Sequence, residues 1–277
     1  MHRIGVRYDL REPGEAEAPA EAYAALLDHA ALAEDAGVDV LWVAERPFVR
    51  GALLPAALPL CAALAERTER VRIATGALPL PLHHPLRVAE DAASVDIVSG
   101  GRFELGVGLG EHAEGFDGFG ISIRERTGRF EEALDWVRRA WTEPTVGGSG
   151  GHFEIAEVAV HPRPAQKPHP PIWIAAQAEA AVARAARLET GLLTDSLDAA
   201  RRFLDAWDEA GRPRADARVA WHVDPDAGAA GDFPDRVAAA LAALVGARVD
   251  IVVPARVGDP NEGLAARVAG IRSIFVA

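Results

Sequence analysis

Apolar residues in this chain fall into short, nearly unbroken runs separated by longer stretches in which they recur every three to four positions, and the two kinds alternate throughout. The short runs predict strands at 3–8 (RIGVRY), 39–44 (DVLWVA), 71–78 (VRIATGAL), 103–108 (FELGVG), 171–176 (PIWIAA), 191–194 (GLLT), 218–224 (RVAWHVD) and 249–254 (VDIVVP). The amphipathic stretches between them predict helices over 20–36, 54–67, 85–98, 124–141, 178–187, 198–210, 234–246 and 260–270. Gly37, the Gly100–Gly101 pair and Gly211 follow the first, third and sixth of these, where a helix stop is expected. Eight strands in strict alternation with eight helices is the pattern of a TIM (β/α)8 barrel. An open doubly wound sheet alternates in the same way, but it usually ends after roughly five to seven strands.

One segment breaks the alternation. Residues 144–170 carry PTVGGSGGHFEIAEVAV and then most of a proline-rich run, HPRPAQKPHPP, which predicts a β-hairpin insertion between helix 4 and strand 5 followed by an extended crossing segment. No linker or longer repeat marks a boundary, so residues 1–277 are expected to form a single domain.

Composition narrows the function. With 49% hydrophobic and 25% charged residues the 277-residue chain reads as an ordinary globular protein. A net charge of −12, spread along the chain, disfavours nucleic acid as a partner. Cys61 is the only cysteine and sits in the apolar LPLCAALA, which suits a core thiol and a reducing compartment. The N-terminal MHRIGVRYDL has no hydrophobic signal core, and no uncharged apolar run approaches the ~20 residues of a membrane span, so a cytoplasmic protein that does not engage membranes is expected. Nearly every cation is arginine, Lys167 being the lone lysine.

Several motifs invite specific chemistry. Gly106, Gly108 and Gly110 form G-x-G-x-G at a strand end, yet the dinucleotide fingerprint needs G-x-G-x-x-G with a helix starting at once, and here the helix is expected only near Arg124. Close backbone approach to a ligand at a barrel mouth fits better. Gly147, Ser149 and Gly151 satisfy G-x-S-x-G but lie between strand-like segments, as a hairpin turn would, rather than between strand and helix. His83 and His84 precede Pro85 at a helix start; adjacent residues diverge too far to chelate one metal readily, and no H-E-x-x-H or cysteine cluster assists them, so no metal site is expected and a place at the mouth is the better account. Glu45 and Arg46 follow the second strand directly, either as a solvated ion pair or as a functional pair. Arg46 could bind an anion but cannot act as a general base. His222 and Asp224 end the seventh strand and could reach the same mouth.

The run RIATGALPLPLHHPLRVAEDAASVDIVSGGRFELGVGLG, at 72–110, resembles the central signature of the luciferase-like monooxygenases. The resemblance continues through FDGFGISIRERTGRFEEALDWVRRAW, the hairpin, HPRPAQKPHPPIWIAA and AVARAARLETGLL, covering about residues 38–194. It implies a (β/α)8 barrel that binds FMN, reduced and in some members delivered as a diffusing co-substrate, or alternatively coenzyme F420, at the C-terminal mouth. It implies a non-prolyl cis peptide at Gly76–Ala77 and cofactor contacts at Thr75, Gly76 and Ala77, at Gly108, Leu109 and Gly110, and at Ala175, Ala176 and Gln177. It further implies a small-molecule substrate and a homodimer packed through barrel helices. On this reading Arg46, with Glu45 beside it, stabilises negative charge on the reacting groups, and His84 is the candidate acid or base.

The chain also departs from the family pattern. Arg46 stands where many relatives have histidine, Leu109 stands where an arginine commonly grips the phosphate, and AAQAEAA at 175–181 replaces a loop rich in glycine and serine. These losses support a rival expectation, a degenerate member with weak or no cofactor binding that serves as a binding or partner subunit. A metal-dependent barrel hydrolase is a third reading, with only scattered His, Asp and Glu behind it.

Overall fold

The computed structural model describes residues 2–10, 19–225, 233–255 and 261–276. In chain order the elements are β1 (Arg3–Tyr8), α1 (Pro19–Asp35), β2 (Val40–Val43), α2 (Ala57–Arg67), β3 (Arg72–Thr75), β4 (Leu78–Pro79), α3 (Pro85–Val98), β5 (Phe103–Gly108), α4 (Ala113–Phe119), α5 (Arg126–Thr142), β6 (Val146–Ser149), β7 (Glu154–Val158), β8 (Ile172–Ala175), α6 (Glu179–Arg187), β9 (Gly191–Thr194), α7 (Leu197–Glu209), β10 (Arg218–His222), α8 (Phe233–Ala243), β11 (Arg248–Pro254) and α9 (Asn261–Val276).

Parallel pairing runs β1–β2–β3–β5–β8–β9–β10–β11, and the ring closes because Gly5 of β1 lies opposite both Val40 of β2 and Val252 of β11. This is the closed eight-stranded barrel expected from the alternation. The third strand differs in detail from the expected 71–78: it ends at Thr75, passes a cis peptide at Gly76–Ala77, and resumes as β4 paired only to β5. The second helix starts at Ala57 rather than 54, and α4 was not foreseen, because Gly115 and Gly118 erase a helical signal in so short a segment. Residue 260, where the last helix was expected to begin, lies outside the described residues. Strands β6 and β7 pair antiparallel between α5 and β8. Among the described residues no helix is long and apolar enough to cross a membrane.

Each strand sends alternate residues outward and inward. In β1, Ile4, Val6 and Tyr8 are fully buried in the outer core beneath the helices, whereas Arg3, Gly5 and Arg7 face the lumen, where they meet Glu104, Trp42 and the mouth respectively. The lumen is plugged by Trp42 and Trp173, packed edge to face with ring centroids 5.3 Å apart. Small neighbours make room for them: a Cβ on Gly5 would stand 2.9 Å from the Trp42 indole nitrogen, and Ala74, Ala220 and Val252 complete the layer.

Below the plug, at the N-terminal end of the strands, lies an ion cluster. Arg3 donates to both carboxylate oxygens of Glu104 and to Asp250, Arg72 also binds Glu104, and the Trp173 indole donates to Glu104 at 2.6 Å. Burial alone would push the Glu104 carboxyl up, but the two arginines overcome this and hold it at about 2. Burial pushes Asp250 up, with Arg3 opposing.

Two expectations follow. A carboxylate held below its unfolded value stabilises the fold fully above the ordinary carboxylate range and loses that contribution as pH falls toward the folded value. Glu104→Gln should therefore lower unfolding free energy at neutral pH by about 3 kcal/mol, and the gap between variant and parent in urea titrations should close between about pH 4.5 and 2. Cys61 is fully buried on α2, and burial pushes its thiol up, so Ellman's reagent should label it only after the protein is unfolded.

Candidate functional site

The C-terminal strand ends open into a cavity of about 370 Å³. One wall is built from β3, β5 and β8. Ala77, Gly108 and Ala175 face one another there: a Cβ added to Gly108 would lie 3.5 Å from the methyl carbons of both alanines. Three neighbouring strand ends thus offer nothing larger than a methyl group. Gly76 continues this wall above Trp42, whose Cβ would be 3.1 Å from a Cβ at position 76.

Of the residues expected at the site, Glu45, Arg46, Gly76, Ala77, Gly108, Leu109, Gly110, Ala175, Ala176 and Gln177 all line this cavity. Thr75 and His84 are not part of its lining. The Thr75 hydroxyl donates to the Gly106 carbonyl at 2.6 Å and accepts from the Gly106 amide at 2.9 Å, clamping β3 to β5 behind the wall. A Cβ on Gly106 would stand 2.0 Å from the Thr75 carbonyl oxygen, so glycine is required at that crossing.

The two histidines divide in direction. His84 is the extended N-cap residue of α3, with Pro85 in the first helical turn, and its exposed ring stacks edge-on to Phe153 at 5.9 Å. His83 turns the other way and its Nε2 meets Glu45 Oε1 at 2.6 Å. His84 therefore does not line this cavity, the helix start holding it extended and exposed.

Glu45 and Arg46 likewise part. Buried Glu45 accepts from the Ala57 amide at 2.8 Å, satisfying a free N–H at the start of α2, while its other oxygen holds His83. Arg46 grips Asp9 with two parallel bonds of 2.8 Å, and its third nitrogen meets His112 Nε2. The hydrogen bond to Asp9 raises the Arg46 pKa, so its charge is permanent and already balanced.

At the far side of the wall, Leu109 lines the cavity without offering a donor, and Gly110 turns the chain at φ +79° against Phe116. Arg126, first residue of α5, reaches the cavity and among the described residues donates one hydrogen bond, of 3.3 Å to the Gly110 carbonyl. The first turn of α6 borders the cavity through Ala178 and Ala181, and its N-cap residue Ala178 supplies no side-chain acceptor for the turn's amides. Gln177 donates to Asp195 at 2.6 Å. Two residues beyond Arg46, Phe48 adopts φ +60° while 59% exposed, with its ring over Gly118 and edge to Phe119.

Sequence reasoning passed over Arg7, His112, Arg126 and Asp195, all of which line the cavity. Arg7 carried a readable signal: a charged residue on the inward-facing positions of an apolar strand, at its C-terminal end. Burial lowers its pKa, and burial together with Arg7 lowers His222 well below the ordinary histidine value, leaving His222 neutral. Among the described residues no group of three or more His, Cys, Asp or Glu side chains is arranged to hold a metal ion.

The family model described as luciferase-like monooxygenase matches residues 3–245. An uncharacterized protein of Sinorhizobium fredii is 37% identical over 62% of this chain, and the chain spans about half of its length, 49%. An F420-dependent glucose-6-phosphate dehydrogenase of Microbacterium testaceum is 32% identical over 80% of this chain and 70% of that protein. The solved structure of a monooxygenase from Streptomyces bottropensis superposes with a TM-score of 0.80 at 25% identity, covering 99% of this chain and 98% of that one. The FMN complex of a type II Baeyer–Villiger monooxygenase component from Pseudomonas putida has the same fold, with a TM-score of 0.83 at 16% identity over 99% and 98% of the two chains.

The capping geometry gives a direct test. Glu45→Ala removes the acceptor at the start of α2 and leaves His83 unpaired, and should cost about 2 kcal/mol in denaturant unfolding.

Proposed function

The chain belongs to the luciferase-like monooxygenases, and from that premise we propose that it is a flavin- or F420-dependent oxidoreductase acting on a small organic substrate at the C-terminal barrel mouth. The observation that carries the reading is the wall of Ala77, Gly108 and Ala175, against which a planar ring system can lie on backbone and methyl groups. Reduced FMN is the cofactor favoured here, with F420 as the alternative. Such a group, when bound, supplies the redox chemistry, passing hydride to the substrate or reducing O2.

The residues present fit a phosphorylated cofactor, although by other means than an arginine at position 109. Arg126 offers a cation with most of its donors uncommitted among the described residues, and the N-terminal end of α6 borders the same cavity through Ala178 and Ala181. Arg46, fixed by Asp9, presents a permanent dipole to the cavity, and His112 beside it takes the place of His84 as candidate proton carrier. Glu45 positions this loop through α2 and His83. Exposed Ile97 and Val98 on α3 support a homodimer packed through helices.

Leu109 and the alanine-rich 175–181 loop favour a second reading, a degenerate barrel that binds a partner rather than a cofactor. Fluorescence and calorimetric titration with FMN, anaerobic FMNH2 and F420 separates the two: micromolar binding of one supports the enzyme, and no binding to the folded protein supports the degenerate barrel. Arg126→Ala should weaken FMN by about ten- to a hundredfold and leave riboflavin, which lacks the phosphate, unchanged.

A further inference from the structure

Among the described residues two nitrogens at the mouth have no hydrogen-bond partner: Arg7 Nε and His222 Nε2, both shielded from solvent. Their side chains border the same cavity from the two strands that flank β11, within range for the Arg7 charge to act on His222. The carboxylate nearest to Arg7, that of Asp9, stands 3.9 Å away and is gripped by both bonds from Arg46. Buried polar nitrogens are nearly always paired in native proteins, and two exceptions on side chains that line one cavity point to a ligand that supplies the acceptor.

Topology says which ligand. In the ring β1–β2–β3–β5–β8–β9–β10–β11, the flat wall comes from β3, β5 and β8, centred on β5. Arg7 is the penultimate residue of β1 and His222 the last of β10, the two strands flanking β11, which lies diametrically opposite β5. A planar ring leaning on the wall leaves these nitrogens on the far side of the mouth. Resting on the cofactor reading above, we propose that Arg7 and His222 form an oxygen-binding subsite for the substrate, taking a carbonyl or carboxylate oxygen across the mouth from the cofactor wall. The Arg7 guanidinium supplies a fixed donor, and the neutral His222 ring supplies a second without adding charge. Leu193 and Ala44, which also line the cavity, give the carbon skeleton behind that oxygen apolar surroundings.

The test uses the full-length protein labelled with ¹⁵N-histidine and titrated, without cofactor, with benzoate and with acetophenone, a carboxylate and a neutral ketone of similar size. The His222 signals are assigned from their loss in His222→Gln. One probe should shift them, and the tighter-binding probe tells whether the subsite prefers charged or neutral oxygen. Arg7→Lys keeps the charge but removes Nε–H, and should weaken that probe about tenfold while a parallel FMN titration changes less than about twofold. His222→Gln, checked by thermal melt to be folded, should weaken the same probe by a similar factor. If neither probe moves His222, the inference is overturned. It is also overturned if Arg7→Lys weakens FMN instead, because the pair would then serve the cofactor. Probe binding at His222 in a protein that ignores FMN upholds the inference and removes the cofactor reading, so the two failures are distinguishable.

Discussion

Two indoles set the geometry of this barrel. Trp42 and Trp173 meet edge to face in the lumen, and the inward positions around them are small because the plug takes the available volume. The plug is also anchored electrostatically, since the Trp173 indole donates to Glu104 in the ion cluster below. Above it, Gly76 rests on Trp42, and the His222 ring meets Trp42 at 6.3 Å. Gly76 and His222 line the cavity, so the plug supports that lining from below while Trp42 and Trp173 take no part in it.

The plug divides two populations of charge with different duties. At the N-terminal end, Glu104 has two arginines and Asp250 has one, and these groups sit where conservation of charge serves stability rather than chemistry. At the C-terminal end, Arg46 and Asp9 satisfy one another, and the strand residues Arg7 and His222 keep nitrogens without partners. Among the described residues two of the four buried nitrogens without a hydrogen bond, Arg7 Nε and His222 Nε2, belong to side chains that line the cavity, while Trp42 Nε1 lies in the plug and Arg202 Nε on α7.

The barrel strands and their main helices were legible in the sequence because those strands are buried on both faces and read as apolar runs, while the helices between them show apolar residues every three to four positions; α4, with its glycines, did not. The Gly76–Ala77 cis bond was legible only through resemblance, since its surroundings come from Trp42 and β5, distant in sequence. Direction was the information missing at the mouth. Glu45 and Arg46 read as one pair, yet their partners are the start of α2 and the end of β1, which no local spacing reveals. His83 and His84 were separable in principle, because a proline at a helix start fixes the extended N-cap residue before it, but which histidine turns inward depends on Glu45 across the loop.

The loss of an arginine at position 109 has a physical consequence within the proposed reading. A phosphate-binding cation at that position would stand on the strand end, rigidly tied to the wall. Arg126 instead projects from the first turn of α5, after the α4 excursion and half-buried, with one long bond to Gly110. Moving the charge from strand to helix start exchanges a preorganised contact for one whose side chain must be ordered on binding, at an entropic cost typical of about 1 to 2 kcal/mol for arginine. A cofactor gripped this way exchanges more readily than one held from the strand. That is the behaviour suited to a reduced flavin that arrives, reacts and leaves, and it makes Leu109 compatible with catalysis by a diffusing cofactor rather than a mark of its loss.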